Sequence, residues 1–160
     1  MPSVVSQTAE YALRAVAWLA KRGDQPQTAD QIAEATRVPG GYLRKVMQSL
    51  VRAGLVRAQR GLHGGFSLSV PPTQLAVLDV INAIDPIERI HACPLGIKSH
   101  GQNLCALHHQ IDDAVAHVER AFARTTIADI LAEPGVSGVF CDVAIREPVK
   151  SQRSVKRSRS

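Results

Sequence analysis

Two sets of side chains in this sequence have the types and spacing to do chemistry. The first is a pair of thiols, Cys93 and Cys105, in a stretch rich in glycine, proline and histidine, with a third thiol, Cys141, further on. Thiolates bind zinc or iron–sulfur clusters and are also the groups that oxidise to sulfenic acid or disulfide, so this pair reads as metal or cluster ligands, as redox-sensing thiols, or as thiols without a sensing role. The second set is basic. Between Glu34 and Asp79 there is no acidic residue, while Arg37, Arg44, Lys45, Arg52, Arg57 and Arg60 all fall there. Such a block inside a folded segment describes a surface for a polyanion. Neither a phosphate-cradling glycine loop, a strand-turn-helix nucleophile site nor a His-Glu-x-x-His segment occurs, so the chain is expected not to be an enzyme.

The chain of 160 residues can bury one good core. Its net charge of +5 comes from residues 148 to 160, which hold Lys150, Arg153, Lys156, Arg157 and Arg159 without an acid, while the remainder balances. No stretch is apolar enough to span a bilayer, and Glu10 and Arg14 interrupt anything resembling a signal peptide. The expectation is a cytoplasmic protein with reduced or metal-bound thiols and no structural disulfide.

Helical and strand periodicities show how these residues are positioned. Ala12, Ala15, Val16 and Leu19 repeat as one face of a first helix that stops at Gly23. Thr28 and Gln31 form a capping box opening a short second helix, which ends before Val38-Pro39. After the Pro39-Gly40-Gly41 turn, Leu43, Val46, Met47 and Leu50 define a third helix, with Gly41, Arg44, Lys45, Gln48 and Arg52 on its opposite face. Two strands follow, 55–58 and 65–70, around a glycine-bearing hairpin. Thr73 is placed to cap a further helix through Leu75, Leu78, Val80, Ile81 and Ile84. Residues 86–104 read as a loop, and from Leu104 a long helix carries Leu107, Ile111, Ala114, Val118, Ala121 and Phe122 at spacings of three and four. A short helical turn follows Thr125, and the last dozen residues are expected to be disordered.

Helix, tight turn, helix and basic hairpin make up a winged helix-turn-helix, in which the second of the two helices enters the major groove. Arg and Lys on its outer face can hold phosphate or read guanine, and Gln can pair with adenine. The fold class expected is mainly α with a small β-hairpin wing, joined to a long dimerisation helix. A metalloenzyme and a protein-interaction module without DNA binding are the competing classes.

The chain resembles the IscR/NsrR/RirA-type (Rrf) winged-helix regulators. Glu10-Tyr11-Ala12-Leu13-Arg14, Tyr42-Leu43, Ala53-Gly54-Leu55-Val56 and the wing Arg60-Gly61-Leu62-His63-Gly64-Gly65-Phe66-Ser67-Leu68 are similar to its characteristic segments, as are Asp79–Ile84 and Thr125–Ile130. The resemblance covers residues 3 to 132. It implies a homodimer, usually a repressor, on palindromic promoter DNA, with the long helix as the dimerisation arm. Many members hold an iron–sulfur cluster on three cysteines spaced by six. Here Cys93 and Cys105 match the outer two and Ser99 stands in the middle place, which excludes a three-cysteine site. His108 matches a position used as a ligand in part of the family, and Glu10 matches a carboxylate that other members supply from the second subunit. His91, His100 and His109 are further ligand candidates.

Layout and resemblance together give an organisation of 1–85 as the DNA-binding domain, 86–104 as the sensor loop, 105–132 as the dimerisation helix and 133–160 as a weakly structured basic tail. The DNA contacts expected are Thr28, Gly41, Tyr42, Arg44, Lys45, Gln48, Arg52, Arg60, Gly61 and His63. The metal ligands expected are Cys93, Cys105, His108 and Glu10, holding a 2Fe-2S cluster that senses iron–sulfur, redox or nitric oxide state. The alternative is a cluster-free regulator responding to thiol oxidation or a protein partner.

Overall fold

Spacings of three and four place Ala9, Ala12, Ala15, Val16 and Leu19 on one side of α1 (Gln7–Arg22), and in the computed structural model all five are buried. The structure describes residues 4–96 and 104–133. The Ser6 hydroxyl accepts from the Ala9 amide at 3.1 Å and starts α1; Gly23, at φ +60, ends it. Three alanines on the inner face let other helices approach closely, and α1 accordingly packs against the helices that follow it through the first half of the chain and against the last short helix.

The capping box opens α2 (Ala29–Thr36): the Gln31 amide donates to Thr28 Oγ1 at 3.2 Å and the Thr28 amide to Gln31 Oε1 at 2.8 Å. Arg37, left-handed at φ 54, turns the chain towards α3 (Gly40–Arg52). The two glycines read from sequence as a turn lie inside this helix, because Pro39 occupies its N-cap and the first-turn amides need no intrahelical partner. Leu43, Val46, Met47 and Leu50 are fully buried against α1 and α2. Truncating one such leucine to alanine typically costs about 2–5 kcal/mol.

The wing is an antiparallel pair, β1 (Val56–Gln59) and β2 (Gly65–Leu68), with Val56 opposite Leu68 and Gln59 opposite Gly65. Gln27 adds a third short rung, exchanging both backbone hydrogen bonds with Phe66 at 2.9 and 2.8 Å. An added Cβ at Gly65 would sit 2.6 Å from the Gln27 carbonyl oxygen, and one at Gly64 only 2.3 Å from that of Gln59. Gly65 therefore permits the close approach that ties the wing to the start of α2, and Gly64 permits the tight closure of the hairpin on itself.

The helix expected to open at Thr73 begins later, as α4 (Val77–Asn82). Ala76 is instead extended and bridged to Thr126, with the Val77 amide donating to the Thr125 carbonyl and the Ile127 amide to that of Leu75, both at 2.9 Å. Asp79 then serves as the cap, accepting from the Ala76 amide at 3.1 Å. Beyond a loop, α5 (Ala106–Arg124) runs along the outside, and α6 (Ile127–Ala132) turns back to α1 and buries Ile127 in the core. Of the nineteen residues of α5 only Ala116 is fully buried. Leu107 and Ile111 remain 64% and 43% exposed, so the first part of its apolar stripe is left uncovered.

Candidate nucleic-acid interface and thiol–imidazole site

The outer face of α3 presents Gly41, Tyr42, Arg44, Lys45, Gln48 and Arg52, all exposed, directly opposite its four buried apolar residues. Tyr42, 57% exposed, meets Tyr11 of α1 edge to face with ring centroids 6.1 Å apart. Beyond α3, Arg60, Gly61 and His63 are exposed at the wing tip together with Leu62, which is 95% exposed. Thr28, exposed at the head of α2, is engaged in its capping box. Arg57 differs from the other basic residues. Its Nε donates to Ser67 Oγ at 2.8 Å and its Nη2 lies 3.7 Å from Asp24, just after α1, so part of its charge is engaged within the protein.

A second site lies at the start of α5. Cys105 is the N-cap of that helix, and its Sγ lies 3.1 Å from His108 Nδ1; Cys93, brought in by the loop after α4, places its Sγ 3.6 Å from the same nitrogen. The three ligand atoms all fall within 4.8 Å of one another, and all three residues are half-buried. The amide of His108 lowers the Cys105 thiol pKa against the opposing effect of burial, with further lowering from Cys93 and the Leu107 amide. Two soft thiols and an imidazole, at the positive end of a nineteen-residue helix, suit a thiophilic metal or an iron–sulfur cluster. Such a group would be held by Cys93, Cys105 and His108.

The other candidates that the structure describes lie apart from this triad. Glu10 is exposed on α1 and paired with Arg14, whose guanidinium lies 5.8 Å from the centroid of the Tyr11 ring. His109 is exposed and sits 3.1 Å from Asp113, one turn along α5, and His91 is exposed in the loop. Ser99, His100, Cys141 and the basic tail lie outside the described residues.

Sequence reading missed what fixes the loop to the arm. Arg89 donates from Nε and Nη2 to the two oxygens of Asp112 at 2.7 and 2.6 Å and from Nη1 to Glu119 at 3.3 Å, while the Ile90 amide donates to Asp112 at 2.9 Å. The Arg89 guanidinium, followed by the Ile90 amide, holds the Asp112 carboxyl well below the usual carboxylate range. The available signal was the seven-residue spacing of Asp112 and Glu119, which puts both acids on one side of the helix; their partner, far away in sequence, gave no local sign.

A helix-turn-helix with an added hairpin, and with basic residues on the second helix and the hairpin tip, defines a winged helix-turn-helix protein. Comparison with known proteins narrows this. Residues 5–133 match the family model described as "Rrf2: Iron-dependent Transcriptional regulator". The chain is 30% identical over 131 residues to a protein named as an HTH-type transcriptional regulator in Aquifex aeolicus, covering 80% of this chain and 91% of that one. Among solved structures it is similar to CymR, the global cysteine regulator of B. subtilis (27% identity, TM-score 0.62, 79% of this chain and 95% of that chain). It also shares the fold of T. potens IscR (24% identity, TM-score 0.67, 82% and 88%). The chain belongs to the Rrf2 family of DNA-binding transcriptional regulators, and the family and its structural neighbours are regulators, not enzymes. Among the described residues no helix is long and apolar enough to cross a membrane.

Proposed function

We propose that this regulator acts in the cytoplasm as a homodimeric repressor of promoters with palindromic sites, and that ligation at Cys93, Cys105 and His108 sets its affinity for DNA. The observation that carries the sensing part is the convergence of two thiols and one imidazole within 4.8 Å at the N-terminus of α5. The exposed basic face of α3 supports the DNA part, with Arg44, Lys45, Gln48 and Arg52 in the major groove and Arg60, Gly61 and His63 of the wing on the backbone or minor groove. Thr28, Gly41 and Tyr42 complete the contact surface at the ends of α2 and α3.

Ser99 leaves the cluster site with two thiolates, so a 2Fe-2S cluster would be held by Cys93, Cys105 and His108, with Glu10 of the second subunit as the fourth protein ligand. When bound, the cluster supplies a redox-active centre that oxygen or nitric oxide can attack. The chain's own contribution is to orient His108 through the first turn of α5 and to lower the Cys105 thiol pKa through the His108 amide. Any change in which these three side chains separate moves the loop against α5, and with it the dimer geometry that sets the spacing of the two α3 helices.

A second reading is favoured by the same thiol pair without a metal. With peroxide as oxidant, Cys93 and Cys105 give up two protons and two electrons to form a disulfide while the peroxide leaves as two waters. Anaerobic reconstitution of wild type beside Cys93→Ala, Cys105→Ala and the double variant, with iron and sulfide analysis, separates the two. Stoichiometric iron and sulfide in the wild type and loss in the variants supports the cluster; full loading of the double variant contradicts it.

A further inference from the structure

The loop bearing Cys93 and the helix bearing Cys105 and His108 are joined at two points one turn of helix apart. One is the thiol–imidazole contact. The other is the grip of Arg89 on Asp112. Cys93 lies four residues after Arg89 and His108 four residues before Asp112, so the two joints bracket equal lengths of chain on the two sides. We propose that Arg89 and Asp112 form a positioning clamp that holds Cys93 against Cys105 and His108 before any metal binds. The inference rests on the reading of these three residues as a ligand set.

The geometry is that of a device for orientation. A bidentate guanidinium–carboxylate pair fixes distance and angle together, which a single ion pair does not. The Asp112 side chain is 14% exposed and also accepts from the Ile90 amide, so the backbone is locked three residues before Cys93. Glu119, two further turns on, takes the remaining arm of the guanidinium at 3.3 Å and keeps its plane aligned along the helix. Residues 86–96 belong to no helix or strand, so Cys93 would otherwise be tethered by a segment with many conformations, and each ligand fixed in place in advance reduces the ordering cost of binding.

The test uses the full-length protein with Cys141→Ser, so that Cys93 and Cys105 are the only thiols, and Co2+ as the probe. Thiolate-to-cobalt absorption reports binding at this site. Asp112→Asn and Arg89→Gln are each expected to weaken Co2+ binding about 10- to 100-fold, the range for groups that orient metal ligands, with the double variant about as weak as either single one. His117→Gln, on the exposed side of α5, is the control and keeps wild-type affinity. A second measurement needs no metal: the equilibrium between the Cys93–Cys105 disulfide and the dithiol in glutathione buffers. Both clamp variants are expected to shift it towards the dithiol by about tenfold or more. Wild-type Co2+ affinity and wild-type thiol equilibrium in the two variants, even with a lowered melting temperature, would overturn the clamp and leave a structural ion pair. If the wild type itself gives no thiolate–cobalt absorption, the ligand reading fails, and the glutathione equilibrium alone then supports or overturns the clamp.

Discussion

Arg89 grips Asp112 through two hydrogen bonds of 2.7 and 2.6 Å across 23 residues of sequence, and this pair fastens the loop after α4 to the outer helix. A carboxyl whose folded pKa is depressed contributes stability that is complete above its unfolded value, about 4, and is lost as pH falls below it. Denaturant unfolding from pH 7 to pH 3 is therefore expected to show a loss of stability below about pH 4 that is smaller in Asp112→Asn. The variant keeps some of that loss, because Thr126 holds the Asp129 carboxyl low as well. Equal pH dependence in both proteins would mean that the pair is not formed in solution.

The wing is predicted to depend on Gly65. At φ +153, with Gln27 backbone atoms 2.6 to 2.9 Å from where a Cβ would stand, Gly65→Ala forces β2 away from the head of α2. The expected cost is about 1–3 kcal/mol in chemical denaturation, the range for a residue strained against fixed backbone, accompanied by weaker DNA binding. Unchanged stability would show that the Gln27–Phe66 rung is dispensable.

Arg60 and Lys45 are expected to differ in how they act on DNA. Arg60→Ala, at the wing tip, should weaken binding to all sequences and reduce the salt slope by about one. A base contact made by Lys45 would instead show on Lys45→Ala as a loss of about 1–3 kcal/mol confined to one operator position. Titrations at several salt concentrations with operator and scrambled DNA distinguish these outcomes, and two silent variants would remove the assignment of helix and wing.

Dimerisation through α5 predicts that Leu107→Asp with Ile111→Asp yields a folded monomer in sedimentation, since both side chains are exposed in the isolated subunit. Two-fold symmetry would set the α3 helices about 34 Å apart, so the monomer should bind a full operator only weakly. A dimer unchanged by both charges would place the interface elsewhere.

Much of this was legible in the sequence because local physics dominates the first half. The period of three and four fixed α1 and α3, and the Thr28–Gln31 box fixed the head of α2. The helix start expected at Thr73 differs from the observed one, since Thr73 has the chemistry of a cap but Ala76 is drawn into an extended bridge with Thr126, a contact no local pattern announces. The same holds at the site. Cys105 and His108 are one helical turn apart and readable as neighbours, whereas the arrival of Cys93 beside them depends on Arg89 and Asp112, whose partnership is set only by the tertiary fold.

The most direct test of the central claim is the affinity of the anaerobically purified wild type for its own promoter DNA, measured with the Cys93–Cys105–His108 site loaded and then stripped. The account predicts a salt-sensitive, sequence-selective complex whose affinity changes at least about fivefold between the two states, a coupling of about 1 kcal/mol or more. The Cys93→Ala, Cys105→Ala protein should be fixed at the stripped value. Identical affinity in the loaded and stripped states would contradict it.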